Sequence, residues 1–188
     1  MNPDRFCIKF FARPGNTIDE AILIEIFQEW IRLRKLPGTL LDVADYRHVP
    51  NGPGVMLITH EVNYAMDHSE GEFGLYAQLK LGQGETHQER MLALVKATAI
   101  FGALLESDKR VAGQFSLDGS QFLYLANDRL QLPNTEAAFT ALKPDLEAVA
   151  AKLYPGQETT VTRRENDSRD RLTVVIQAQG LCDISALA

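Results

Sequence analysis

Residue types able to carry chemistry concentrate in one stretch of the chain. It runs Asp42-Val43-Ala44-Asp45-Tyr46-Arg47-His48-Val49-Pro50-Asn51-Gly52-Pro53-Gly54 and continues through Val55 to the pair His60-Glu61. If Asn51 and Gly52 form a two-residue hairpin turn, residues equidistant from it face each other. That register sets Asp45 opposite Ile58 and diagonal to His60, within reach of long side chains. A carboxylate that orients and charges an imidazole suits general acid/base work or a supporting contact to a metal. The same register aligns Asp42 with Glu61 and Tyr46 with Leu57, and two facing carboxylates can raise one pKa or hold a cation. The catalytic candidates are therefore Asp45, His60, Glu61 and His48.

The competing reading is a purely structural pair, because a His and an Asp on neighbouring strands satisfy each other at a sheet surface. A slip of one residue would carry His60 to the other face. His48 beside the turn is expected in solvent, and His68 in a turn and His87 in a helix cap are expected as bystanders. The stretch from Leu41 to Asp67 resembles an uncharacterised family of bacterial proteins. That family shares an Asp-Val-Ala-Asp-Tyr strand, a His-Val-Pro-x-Gly-Pro-Gly turn and a following His-Glu pair. A fainter echo falls at Asn127-Asp128-Arg129 and Pro133-Asn134-Thr135-Glu136. The resemblance implies no activity, but it adds Tyr46, Asn127, Asp128 and Arg129 as ligand-binding candidates. An Asx turn explains Asn127 to Arg129 equally well.

Other signatures are missing. Gly82-Gln83-Gly84 lacks the third glycine of a dinucleotide-binding loop, and there is no Walker A, His-Glu-x-x-His, Gly-x-Ser-x-Gly or EF-hand pattern. Cys7 and Cys182 have neither a CxxC partner nor a nearby His, so no metal and no cofactor is expected. The charge balance is 19 Lys and Arg against 25 Asp and Glu, a net of -6. An acidic chain must concentrate its cations to bind phosphates, and Arg32, Arg34 and Lys35 instead suit the negative end of a helix. Nucleic acid is not an expected partner. Arg163, Arg164, Arg169 and Arg171, interleaved with Glu165, Asp167 and Asp170, read as a mixed-charge, solvated hairpin tip. The apolar run 91–105 contains Lys96 and is too short to span a bilayer, and residues 1–11 lack the pattern of a secretory leader. These features point to a cytoplasmic protein without a membrane partner.

The elements that must position these residues follow from periodicity. Thr17-Ile18-Asp19-Glu20 fits a capping box opening a helix over 18–35, and Thr86-His87-Gln88-Glu89 opens a second over 87–106 that is apolar nearly all round. A third begins at Asn134 or Thr135, with Pro144 expected to kink or split it. Strands are expected over 6–11, 40–48, 55–67 and 72–80, the last three forming a meander. Asp118-Gly119 predicts a hairpin between 111–117 and 121–126, and a last hairpin joins 159–164 to 172–179. Helices grouped against hairpins give an α+β fold, a single domain over 1–188 with a mainly antiparallel sheet of about eight strands and three helices on one face. The other face would then want company. The expected function is a non-enzymatic binding or assembly module, a homo-oligomer or a receptor for an apolar small ligand. The alternative is a small enzyme built on Asp45 and His60.

Overall fold

The computed structural model describes residues 3–16, 18–50, 52–82 and 84–188. One antiparallel eight-stranded sheet carries three helices, so the fold is α+β. The strands are β1 (Phe6–Ala12), β2 (Leu40–Asp45), β3 (Val55–Thr59), β4 (Val62–Asp67), β5 (Gly74–Leu79), β6 (Leu117–Ala126), β7 (Thr159–Arg163) and β8 (Thr173–Ala178), in the order β2-β3-β4-β5-β1-β6-β8-β7. β1 lies near the middle between β5 and β6, as its apolar character on both faces requires.

The helices are α1 (Glu20–Leu33), α2 (His87–Glu106) and α3 (Glu136–Leu153). α1 is capped by Asp19, whose side chain accepts from the Ala21 amide at 3.0 Å. Thr17, the expected cap, lies outside the described residues. α1 buries Leu23, Ile26, Phe27 and Trp30, one stripe at helical spacing, and stops where Arg34 turns left-handed. α2 opens with the expected capping box of Thr86 and Glu89. α3 is capped by Thr135 and continues through Pro144 as one helix, contrary to the expected split. A proline removes one amide donor, and the buried Leu142 and Leu146 on either side hold the turn in place.

Phe6, Ile8 and Phe10 of β1, with Leu57, Tyr64, Leu75, Phe122, Tyr124 and Ile176 of other strands, form one core with the apolar sides of all three helices. Cys7, Leu123 and Leu125 belong to a separate small cluster on the opposite face. The helices therefore cover one side of the sheet.

Two expected elements differ. The strand expected over 55–67 breaks at His60-Glu61 into β3 and β4, because the Thr59 hydroxyl donates to the Val62 carbonyl at 2.8 Å and accepts from its amide at 3.0 Å, closing a tight turn. The Asp118-Gly119 hairpin does not exist, and both residues lie inside β6. Asp118 bridges Asp183, and a Cβ on Gly119 would sit 2.8 Å from the Asp183 carbonyl carbon. The glycine serves a close backbone approach rather than a turn. Past that contact, Ile184 and Leu187 are buried on α2.

The only buried histidine of the four is His87, expected to be a bystander. Its ring packs edge-on to Phe6 and Tyr124, with Nδ1 3.3 Å from Asp145 Oδ2 and Nε2 3.2 Å from the Tyr124 hydroxyl. A neutral ring protonated on Nδ1 satisfies both contacts. Burial pushes its pKa below the ordinary 6.5, against the pull of Asp145. Below pH 6.5 the unfolded chain takes up a proton that the folded one refuses, so stability is complete above that pH and falls as the pH drops towards the lowered value. Unfolding free energies from urea titrations should decline over this window with a slope of up to about 1.4 kcal/mol per pH unit, and His87→Gln should remove that component. An unchanged acid limb in the variant would refute it.

Candidate functional site

The structure does not bring the candidate acid/base residues together. β2 pairs with β3 so that Asp45 faces Val55, Ala44 faces Met56 and Asp42 faces Ile58, not the partners expected from a two-residue turn. The connection is a nine-residue loop, 46–54, closed by the Tyr46 amide on the Gly54 carbonyl at 2.7 Å. Gly54 takes φ 63, and a Cβ there would collide with the Met66 carbonyl. Asn51 lies outside the described residues. The longer loop changes the register, and His60 falls about 16 Å from the Val55 end of β3, where Asp45 is, at the usual strand rise.

Each candidate then has its own surroundings. Asp45 is paired with its neighbour Arg47 at 2.7 and 2.9 Å, and those bonds hold its carboxyl down to about 2. Tyr46 and His48 are exposed in the loop, their rings 6.4 Å apart. His60 is exposed in the β3–β4 turn, with Nδ1 3.5 Å from Glu61 Oε1. Glu61 also lines a hollow of about 190 Å³ bounded by Val62, Tyr64, Leu79 and Leu94, the apolar recess of the core side. Asp42 faces Ile58 rather than Glu61, so no carboxylate pair forms. Asp128 accepts from the Leu130 and Gln131 amides at 3.0 and 3.1 Å in an Asx turn, preceded by Asn127, whose amide bonds Arg5. Arg129 projects from that turn. Among the described residues no group of three His, Cys, Asp or Glu side chains is placed to hold a metal.

What the topology does assemble lies on the side of the sheet away from the helices. Reading the registers across all eight strands, Ala44, Met56, Ala65, Tyr76, Lys9, Leu123, Val175 and Thr162 form one row. A parallel row runs Asp42, Ile58, Asn63, Gln78, Cys7, Leu125 and Thr173. Among the described residues no α-helix covers these rows, yet Cys7, Lys9 and Leu125 are fully buried at their centre.

Two connections account for that burial. The β4–β5 connection, 68–73, leaves the sheet at the Phe11 end of β1, and the β7–β8 connection, 164–172, leaves at the Cys7 end. They meet over the reverse face. The Lys9 ammonium, 0% exposed, donates to Asp67 Oδ1 at 2.7 Å and to the Ser69 carbonyl, which bends the first connection inward. Glu70 at its tip takes φ 63, a left-handed conformation unfavourable for a side chain of its kind. Its carboxylate accepts from Arg164 Nη1 at 3.2 Å and Arg171 Nη2 at 3.1 Å. Arg171 Nη1 also donates to the Tyr76 hydroxyl at 3.0 Å, and its guanidinium lies 5.9 Å over the Tyr76 ring. Together these contacts form a clasp across the sheet.

The clasp revises the solvated-tip expectation. Only Arg169 behaves as such a tip residue, held by Asp167 next to it at 2.9 and 3.0 Å. Arg163 turns back to Asn134, and Arg164 and Arg171 cross to Glu70. Under the clasp burial lowers the Lys9 pKa against the opposing pull of Asp67, raises the Tyr76 hydroxyl, and pushes the Cys7 thiol up to about 11. Cys7 is thus a packed thiol with little nucleophilic character.

Comparison with family models, curated proteins and solved structures finds no match to this chain. The site has to be read from its own geometry. Among the described residues no helix is long and apolar enough to cross a membrane.

Proposed function

We propose that the protein is a binding and assembly module that self-associates through the reverse face of its sheet. The observation that carries this reading is the row of Met56, Tyr76 and Val175, partly exposed apolar side chains on a face that no α-helix covers among the described residues. Around them stand Asn63, Gln78, Gln121, Gln177, Thr160 and Thr162, uncharged groups that each donate and accept hydrogen bonds. A two-fold contact sets a surface against itself, so such groups favour a second copy of this chain over a charged partner. At usual sheet spacings the face covers on the order of 500 Å² per subunit, about 1,000 Å² for a pair, enough for a weak dimer. Two unpaired thiols, Cys7 and Cys182, fit a reducing compartment, and the cytoplasm is the proposed location. The recess under Glu61 is where a small apolar ligand would enter.

Sedimentation velocity between about 1 and 200 µM is expected to show a concentration-dependent monomer–dimer equilibrium, as suits an interface near the lower size limit. Val175→Glu should abolish it by burying an unpaired charge at the contact, with the thermal midpoint little changed because Val175 is only partly buried. A wild-type chain that stays monomeric throughout would refute the proposal.

A further inference from the structure

We infer that the cleft beside the clasp binds the dianionic phosphoryl group of a small molecule. A hollow of about 480 Å³ opens where the two connections meet, and Arg129, Arg164, Arg169 and Arg171 line it with Glu70. These arginines come from two connections, Arg129 from the one between β6 and α3 and the other three from the β7–β8 connection. Arg169 is committed to Asp167. Arg164 and Arg171 share the single carboxylate of Glu70, each giving it one side-chain N–H. Arg129 is exposed and has no ion pair among the described residues.

Two guanidinium groups therefore share one carboxylate, and a third lines the same hollow, in a chain whose net charge is -6. The Glu70 carboxylate occupies the place of an anion. A guanidinium fork matches phosphoryl oxygens with paired donors, and a tetrahedral dianion offers three oxygens where Glu70 offers two. Glu70 also holds an unfavourable left-handed backbone, the kind of local strain that collects at clamps and switches. A phosphoryl group would replace its carboxylate between Arg164 and Arg171, recruit Arg129, and free Glu70 to move out. Glu165 and Asp170, which line the same hollow with no ion pair to these arginines among the described residues, oppose an extended polyanion and restrict the ligand to a small molecule.

The test is calorimetric titration with inorganic phosphate, pyrophosphate and phenyl phosphate, with sodium acetate at matched ionic strength as control. The full chain and its Val175→Glu variant are both titrated, so that binding is read apart from self-association. Phosphate should bind above the acetate control, Glu70→Gln should tighten it about tenfold, and Arg129→Gln and Arg164→Gln should each weaken it about tenfold, the effect of one charge-assisted contact. Arg129 has no ion pair to lose among the described residues, so its variant keeps the test readable even where Arg164→Gln loosens the clasp. A tighter ester assigns a phosphorylated metabolite, and an equal or weaker one assigns free phosphate. No binding above acetate in the wild type and in Glu70→Gln, or Glu70→Gln that binds no more tightly than wild type, overturns the inference. A monomeric wild type that still binds phosphate would refute self-association alone.

Discussion

Lys9→Met is expected to destabilise the fold by about 3–5 kcal/mol, the cost of leaving one member of a buried ion pair without the other. The lysine is on the central strand, fully buried, and its ammonium is 2.7 Å from Asp67, which is 3% exposed. Taking a charge that far from water is unfavourable, which is why burial lowers the Lys9 pKa, and Asp67, the Ser69 oxygens and the more distant charges of Glu70 and Glu72 oppose it. Removing the lysine leaves the carboxylate, among the described residues, with the Ser69 amide and hydroxyl, 3.3 and 3.0 Å away. The double variant Lys9→Met/Asp67→Asn should recover most of the loss, since neither partner then carries a buried charge. Urea denaturation of the four proteins of this cycle measures it. A single-variant cost below about 1 kcal/mol would mean that the ammonium is not desolvated as its position requires.

That pair also shows why parts of the site were not legible in the sequence. The run Phe6 to Phe11 announces a central strand, but nothing local says why a lysine is tolerated there, because its partner is 58 residues away. The clasp is the same case: Arg164 and Arg171 stand 94 and 101 residues from Glu70. Seen locally they sit among acids, and a mixed-charge hairpin tip is the natural reading. The sequence offers Arg129 as a ligand-binding candidate or part of an Asx turn, and nothing near it shows the cleft that a distant hairpin builds.

Local errors have local causes. Val55, Leu57 and Thr59 face inward, and so do Val62, Tyr64 and Met66, so the inward phase steps by an odd number of residues across His60-Glu61. That break was a signal for a turn, masked by an almost unbroken apolar run. At Asp118-Gly119 the dipeptide is that of a hairpin, and only the approach of Asp183 reveals why the glycine is needed. The Asp45–His60 pairing failed because register depends on loop length, and the prolines at 50 and 53 leave that length open. Capping residues and helical stripes depend on near neighbours alone, so α1, α2 and α3 were legible almost to their ends.

Phe101→Ala should cost about 3–5 kcal/mol, a large share of a typical domain stability of roughly 5–15 kcal/mol. Phe101 is fully buried in α2, stacked 4.6 Å from Tyr64 of β4 and edge-on to Trp30 and Phe27 of α1 at 5.0 and 5.3 Å. One ring thus joins two helices to the sheet, and its loss opens a cavity that three aromatic neighbours can only partly fill. The Trp30 fluorescence, one contact away, reports the unfolding. Because Phe101 lies on the helical side and the clasp on the other, phosphate affinity measured below the lowered midpoint should stay at the wild-type value. A variant that is folded yet loses phosphate would mean that the two faces are coupled through the sheet. A cost below about 1 kcal/mol would mean that α1 and α2 do not depend on this ring for their seat on the sheet.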